Sequence, residues 1–214
     1  NTAQELYSPV TTPILLLNIA IFAAAIITGL EEAINSYGLV PAEVAHGERL
    51  WTAFSSMFVH AGFFHLLGNM YFLFVTGDNV EKRLGSQWFL PFYLACGLAA
   101  AAAHVISDPA STVSTIGASG AISGVMGAYV VFFPTNRFLC RWYYWFRLHT
   151  FEIPAWAYFG FWVMIQILFA TMEVGGGVAF WAHIGGFVVG AGTAGIMRAV
   201  EAQKSPDNPP GWRA

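Results

Sequence analysis

Two short motifs hold side chains able to do chemistry. Ser119 stands in Gly117-Ala118-Ser119-Gly120, and His183 in Ala182-His183-Ile184-Gly185-Gly186. A serine hydroxyl becomes a nucleophile when an imidazole nitrogen at about 2.6–3.2 Å takes its proton, so this pair could carry acyl transfer. Ser119 follows the polar stretch from Ser107 to Ser114 and opens an apolar run. Unpaired backbone N–H groups at a helix start face any nearby anion, which would put an oxyanion site beside that hydroxyl. His65 and Asn69 are four residues apart and share one helical face. Both can donate a hydrogen bond without carrying charge, a contribution of about 3–4 kcal/mol per oxyanion donor in soluble proteases. The competing reading of each residue is structural: a serine in a close helix contact, and histidine or asparagine as interhelical hydrogen bonders. A metal site would draw on His60, His65 and His183. However, His60 and His65 lie about 140° apart around a helix, and no H-E-x-x-H pattern or nearby carboxylate completes a ligand set, so no metal is expected. His104 and Gln166 read as packing hydrogen bonders.

The elements that position these residues are membrane helices. Of 214 residues, 57% are hydrophobic and 10% charged, with a mean hydropathy of +0.58, whereas a water-soluble domain is about a quarter charged. Nine Lys and Arg against twelve Asp and Glu, net charge −3, exclude a basic nucleic-acid binder. Cys96 and Cys140 are too few for a disulfide framework and read as unpaired. A bilayer core of about 30 Å needs roughly 20 apolar residues per helix. Six runs qualify: approximately Pro13 to Leu30, Phe63 to Thr76, Gln87 to Ile106, Gly117 to Phe133, Pro154 to Met172 and Val178 to Met197, the second and fourth being short. With both termini cytoplasmic, the inner segments hold Lys82, Arg83, Arg137, Arg141, Arg147, Arg198, Lys204 and Arg213, and the outer side only Arg49. That asymmetry sets the orientation. The segment from Thr135 to Ile153, with Trp142, Tyr143, Tyr144 and Trp145, suits an interfacial aromatic belt. The long outer segment from Glu31 to Gly62, with Trp51, Phe54, Met57 and Phe58, suggests short amphipathic helices in the outer leaflet.

Depth then ties the polar residues together. Even-numbered spans all run outside to inside, so His65, Asn69, Ser119 and His183 share one outer level. The fourth helix, at 15 residues from Ser119 to Phe133, would rise only about 22 Å, so its top is recessed beside a hydrated pit, where non-helical backbone is tolerated. Gly120 and Gly124 form one small-residue face and Gly186 and Gly190 another, permitting near backbone contact between the fourth and sixth helices. Trp156, Phe159 and Trp162 on the fifth helix are candidates for a lateral gate, and Gly175-Gly176-Gly177 for a mobile cap.

These motifs carry a likeness. In order, spacing and placement, His65-Leu66-Leu67-Gly68-Asn69-Met70, Val80-Glu81-Lys82-Arg83-Leu84-Gly85, Gly117-Ala118-Ser119-Gly120 and Ala182-His183-Ile184-Gly185-Gly186 resemble the rhomboid family of intramembrane serine proteases in its bacterial six-helix form. The resemblance covers about residues 13 to 198. It implies Ser119 as nucleophile, His183 as general base, and His65, Asn69 and the Ser119 N–H as the oxyanion hole, with no acidic triad member. It also implies that Glu81 is a structural carboxylate near the cytoplasmic end of the second helix, and that His60 is structural. Arg49 and Trp51 resemble the family's outer-loop Trp-Arg pair, but in different order and spacing. Four residues after the nucleophile, where some members stack an aromatic ring on the histidine, this chain has Ser123, so packing or a Ser123 hydroxyl contact is left to hold the base.

The expectation is an all-α membrane protein. It comprises a cytoplasmic segment (1–12), a six-transmembrane-helix rhomboid-like bundle (13–198) with a long outer loop between helices 1 and 2, and a cytoplasmic tail (199–214). The likeness implies an intramembrane serine endopeptidase acting on single-pass membrane proteins in the lipid bilayer of a bacterial plasma (inner) membrane, without cofactor, metal or nucleic acid. The alternative is a non-catalytic rhomboid-like client-binding protein, whose relatives typically lose the serine or histidine kept here. A transporter would ordinarily show repeats or buried charge along a path.

Overall fold

A computed structural model describes residues 8–145, 147–172 and 178–204. The glycines 175–177 expected as a cap, and the tail beyond residue 204, lie outside the described residues. Helix α1 runs Thr11–Thr28, and short helices α2 (Leu30–Tyr37), α3 (Pro41–Ala45) and α4 (Thr52–Ser55) follow, with a 3₁₀ turn at Ser56–Phe58. Then come α5 (Phe63–Leu84), α6 (Ser86–Ser107), α7 (Ser119–Phe132), strands β1 (Arg137–Tyr144) and β2 (Arg147–Pro154), α8 (Ala155–Met172) and α9 (Phe180–Lys204). Among the described residues, α1, α6, α8 and α9 are long and apolar enough to cross a membrane. The pair Thr52–Phe58 and Phe63–Leu84, bent by 93°, would be a fifth span, and α7 is a shorter apolar helix.

The most buried element is α7. Every residue from Gly120 to Tyr129 is buried, as is Phe132, and α5, α6, α8 and α9 pack around it. Large apolar side chains on the outer helices, among them Leu16, Ile27, Phe64, Phe74, Ile167 and Val188, are exposed instead. Such a belt is stable in lipid and not in water.

The end of the bundle opposite the start of α7 is tied by a buried carboxylate. Glu81 accepts hydrogen bonds from the N–H groups of Val10 (3.0 Å) and Thr11 (2.7 Å) and from the hydroxyls of Thr11 and Ser86 (2.7 Å each). At the same end Arg83 pairs with Glu201, and Arg198 donates to the Val131 carbonyl at 2.7 Å.

Two expectations are corrected. The chain is mostly helical but not all-α: β1 and β2 pair antiparallel from Arg137↔Pro154 to Tyr144↔Arg147. The aromatics that suggested an interfacial belt also suit a pleated, half-buried surface. Phe138 anchors the hairpin, its ring 5.6 Å from Tyr129 and 5.4 Å from Phe159. The second long helix does not stop near Thr76 but continues to Leu84. Charged residues end a hydrophobic run without ending a helix, and Lys82 pairs with Asp78 one turn back at 2.7 Å.

Candidate active site

Ser119 opens α7. The first bond of that helix runs from the Ile122 N–H to the Ala118 carbonyl at 2.9 Å, so the N–H groups of Ser119, Gly120 and Ala121 precede the ladder and are free to meet an anion. The loop before Ser119 is pinned by backbone bonds from the segment ahead of α5. Leu39 and Thr115 exchange two (3.0 and 2.7 Å), Ala42 N–H donates to the Ser111 carbonyl (3.0 Å), and Gly117 N–H donates to the Ser56 carbonyl (2.9 Å). Irregular backbone inside the bundle is thereby satisfied by protein.

His183 lies in the first turn of α9, which runs against α7 with almost no side chain between them. A Cβ on Gly186 would sit 2.0 Å from the Gly120 carbonyl oxygen, and one on Gly190 1.9 Å from that of Gly124. A Cβ on Gly124 would meet Cys96 at 2.4 Å, and one on Gly120 would meet Ala100 at 2.5 Å. This approach of backbones brings His183 Nε2 to 2.8 Å from Ser119 Oγ. On the other side of the ring, His183 Nδ1 donates to Gln166 Oε1 on α8 at 2.7 Å, and the Trp162 ring lies 5.8 Å away, tilted by 37°.

Ser123 makes no hydrogen bond to His183. Its hydroxyl turns back one helical turn and donates to the Ser119 carbonyl at 2.6 Å. The contact to His183 comes from Gln166, which a reading of residue types treats as an ordinary packing group. The available signal was positional: Gln166 falls on the same stripe of α8 as Ala155, Phe159 and Trp162, where apolar residues are expected.

On α5, His65 Nδ1 accepts a hydrogen bond from the Ala61 N–H at 3.3 Å, which leaves the proton on Nε2. A Cβ on Gly117 would lie 2.7 Å from that Nε2 and 3.7 Å from Ser119 Oγ, so both atoms border the space that Gly117 leaves open. Asn69 donates from Nδ2 to the His65 carbonyl at 2.8 Å, while its buried Oδ1 has no partner. His65, Asn69, Ser119 and His183 all line one cavity of about 430 Å³. His104 lines it too, bonded to Thr115 Oγ1 at 2.8 Å. His60 is buried, with its ring 5.2 Å from that of His65.

The three aromatics grouped on the fifth long helix part company. Trp156 is exposed and Phe159 is buried against Tyr129 and Phe138, while Trp162 packs on His183 and Phe187. Arg49, at a φ of +44°, pairs with Glu43 at 2.9 Å, donates to the Asn35 and Ser36 carbonyls and lies 5.6 Å over the Trp51 ring. It braces the short helices and does not reach the cavity.

A neutral imidazole with Nδ1–H bonded outward and a bare Nε2 lone pair facing a hydroxyl is arranged to accept that hydroxyl's proton. N–H donors lining the same cavity suit a developing oxyanion.

The family model for the Rhomboid domain matches residues 47–200. RHOMBOID-like protein 5 of Arabidopsis thaliana is 33% identical over 93 residues, 44% of this chain and 30% of that protein. Rhomboid protease GluP of Bacillus subtilis is 36% identical over 94 residues, 44% of this chain and 18% of that protein. Rhomboid protease GlpG of Haemophilus influenzae is 25% identical over 162 residues, 76% of this chain and 77% of that protein. The chain thus spans less than a third of the first two relatives' length and about three quarters of the third's.

Proposed function

Because the chain belongs to the rhomboid family, we propose that it is an intramembrane serine endopeptidase, cutting peptide bonds in or near the membrane segment of single-pass proteins with a Ser119–His183 dyad. The observation that carries this reading is the 2.8 Å contact between Ser119 Oγ and His183 Nε2 on the wall of the cavity.

As Ser119 Oγ attacks the scissile carbonyl carbon, His183 Nε2 takes its proton. The carbonyl oxygen becomes an oxyanion met by the His65 Nε2–H, the free amide hydrogen of Asn69 and the Ser119 backbone N–H. Collapse of the tetrahedral adduct breaks the C–N bond, and His183 returns the proton to the leaving amine. Water, activated by the same imidazole, then releases the acyl group and restores the serine. The cavity wall supplies the water access that this second step needs.

On this reading the chain crosses a bacterial plasma membrane six times, α7 being a short, recessed span, with both termini in the cytoplasm and the cavity toward the outer side; the excess of Lys and Arg at the Glu81 end supports that orientation. A substrate helix enters from the lipid past α8. Of the three aromatics expected as a gate, Trp162 beside His183 keeps that role, whereas Phe159 is buried in the core and Trp156 lies in the first turn of α8, next to the hairpin.

The test is covalent and kinetic. A fluorophosphonate labels the purified protein, and liposomes carrying it cleave a single-pass substrate. Ser119→Ala abolishes both, and His183→Ala lowers each at least 100-fold. A parent protein that neither labels nor cleaves any member of a single-pass panel would replace this reading with client binding.

A further inference from the structure

Gln166 is a neutral amide on the inward stripe of a predominantly apolar helix. Of the α8 side chains, only Ala155, Phe159 and Gln166 are buried. An unpaired amide there would be strongly unfavourable in a bilayer, so its partner determines its meaning. That partner is the imidazole of His183: Nδ1 to Gln166 Oε1 is 2.7 Å, and Nε2 to Ser119 Oγ is 2.8 Å. The three side chains form one hydrogen-bonded line from α8 through α9 to α7.

Resting on the endopeptidase reading, we propose that Gln166 is the positioning residue of the dyad, holding His183 as the tautomer whose Nε2 lone pair faces Ser119. Oε1 can only accept, so it keeps the imidazole proton on Nδ1. If the amide were reversed, its N–H would donate to Nδ1 and drive the proton to Nε2, where the ring could no longer take the proton of Ser119. When the serine proton does arrive, the Nδ1–H bond becomes charge-assisted and strengthens as the imidazolium forms, so the amide favours the transition state over the resting state. Ser123 leaves this work undone, since its hydroxyl is spent on the Ser119 carbonyl. Trp162 supplies the face contact, 5.8 Å from the imidazole, and Gln166 supplies the direction.

Three proteins decide it: the parent, Gln166→Leu, which keeps bulk and loses the acceptor, and Gln166→Glu, which keeps an acceptor at the same reach. We expect Gln166→Leu to lower kcat by about 10- to 100-fold with KM within twofold, and Gln166→Glu to recover most of the loss. Histidine ¹⁵N spectra of detergent-solubilised protein, with the His183 signal assigned by its loss in His183→Ala, supply a readout independent of turnover. The parent shows protonated Nδ1 and bare Nε2, and Gln166→Leu shows a mixture of tautomers. If Gln166→Leu keeps its kcat and the Nδ1–H tautomer, the proposal falls while the endopeptidase reading stands. Equal losses in Leu and Glu variants with an unchanged tautomer would assign Gln166 to packing alone. If the parent does not react with fluorophosphonate, the endopeptidase reading falls, and the ¹⁵N spectra still show whether Gln166 sets the tautomer.

Discussion

At Gly117 the backbone takes a φ of +119°, and a Cβ there would lie 2.7 Å from His65 Nε2. Both facts act on one residue, two positions before the proposed nucleophile Ser119. Gly117→Ala therefore costs about 1–3 kcal/mol in backbone strain and also pushes the His65 N–H away from the place where the oxyanion would form. The expected result is a protein that still folds, with a lower melting temperature, and whose kcat/KM for a single-pass substrate falls about 100-fold. Unchanged kcat/KM would remove His65 from the oxyanion hole. At this scale the sequence is readable where a residue type is scarce and its neighbours are small: a G-x-S-G motif and a histidine beside two glycines mark α7 and α9 as carriers of a close polar contact. Gln166 was not readable in that way. One glutamine in an apolar run forms no motif, and its partner lies 17 residues further on, on a different helix.

The element that matters most is the α7–α9 pair, because their separation sets the distance between hydroxyl and imidazole. Gly190 faces the Gly124 carbonyl so closely that a Cβ would sit 1.9 Å away, whereas Gly192 on the same helix has nothing within 4 Å. Gly190→Ala must force the helices apart, at a cost of about 1–3 kcal/mol, and it lowers both the melting temperature in detergent and the fluorophosphonate labelling rate. Gly192→Ala adds a better helix former at an open position and leaves labelling unchanged, with equal or higher thermal stability. Equal effects of the two substitutions would mean that the contact does not set the site. The i, i+4 glycine spacing makes this face legible, as apolar length makes α1, α6, α8 and α9 legible. The hairpin is not legible on the same terms. Its residues alternate only loosely between polar and apolar, and Arg137, Phe138, Leu139, Cys140 and Arg141 serve a basic membrane-surface loop as well as a strand. Only the packing of Phe138 against Tyr129 and Phe159 resolves the choice.

Over the whole molecule, the buried Glu81 tie and the proposed chemistry lie at opposite ends. The Glu81 carboxylate gathers four donors where α1, α5 and α6 meet, far along the bundle from Ser119. Glu81→Ala strands those donors at about 1–3 kcal/mol each, so thermal melting in detergent drops sharply. Turnover per folded molecule at low temperature stays at the parent value; a fall in kcat at full folding would tie the two ends together.

Charge follows the same division. Among the described residues Lys82, Arg83, Arg137, Arg141, Arg147, Arg198 and Lys204 belong to the Glu81 end, and Arg49 to the end that holds the cavity. Positively charged segments stay in the cytoplasm as a rule, and the proposed orientation accordingly opens the cavity to the opposite side. In a Cys140→Ser background, a membrane-impermeant maleimide should label Glu48→Cys in right-side-out vesicles, and Leu148→Cys only in inverted or permeabilised ones. A charged, impermeant fluorophosphonate should reach Ser119 from the Glu48 side alone. Ser119 labelled from the Leu148 side would place the hydrated cavity at the wrong face of the bilayer, and the arginine asymmetry would then have another cause.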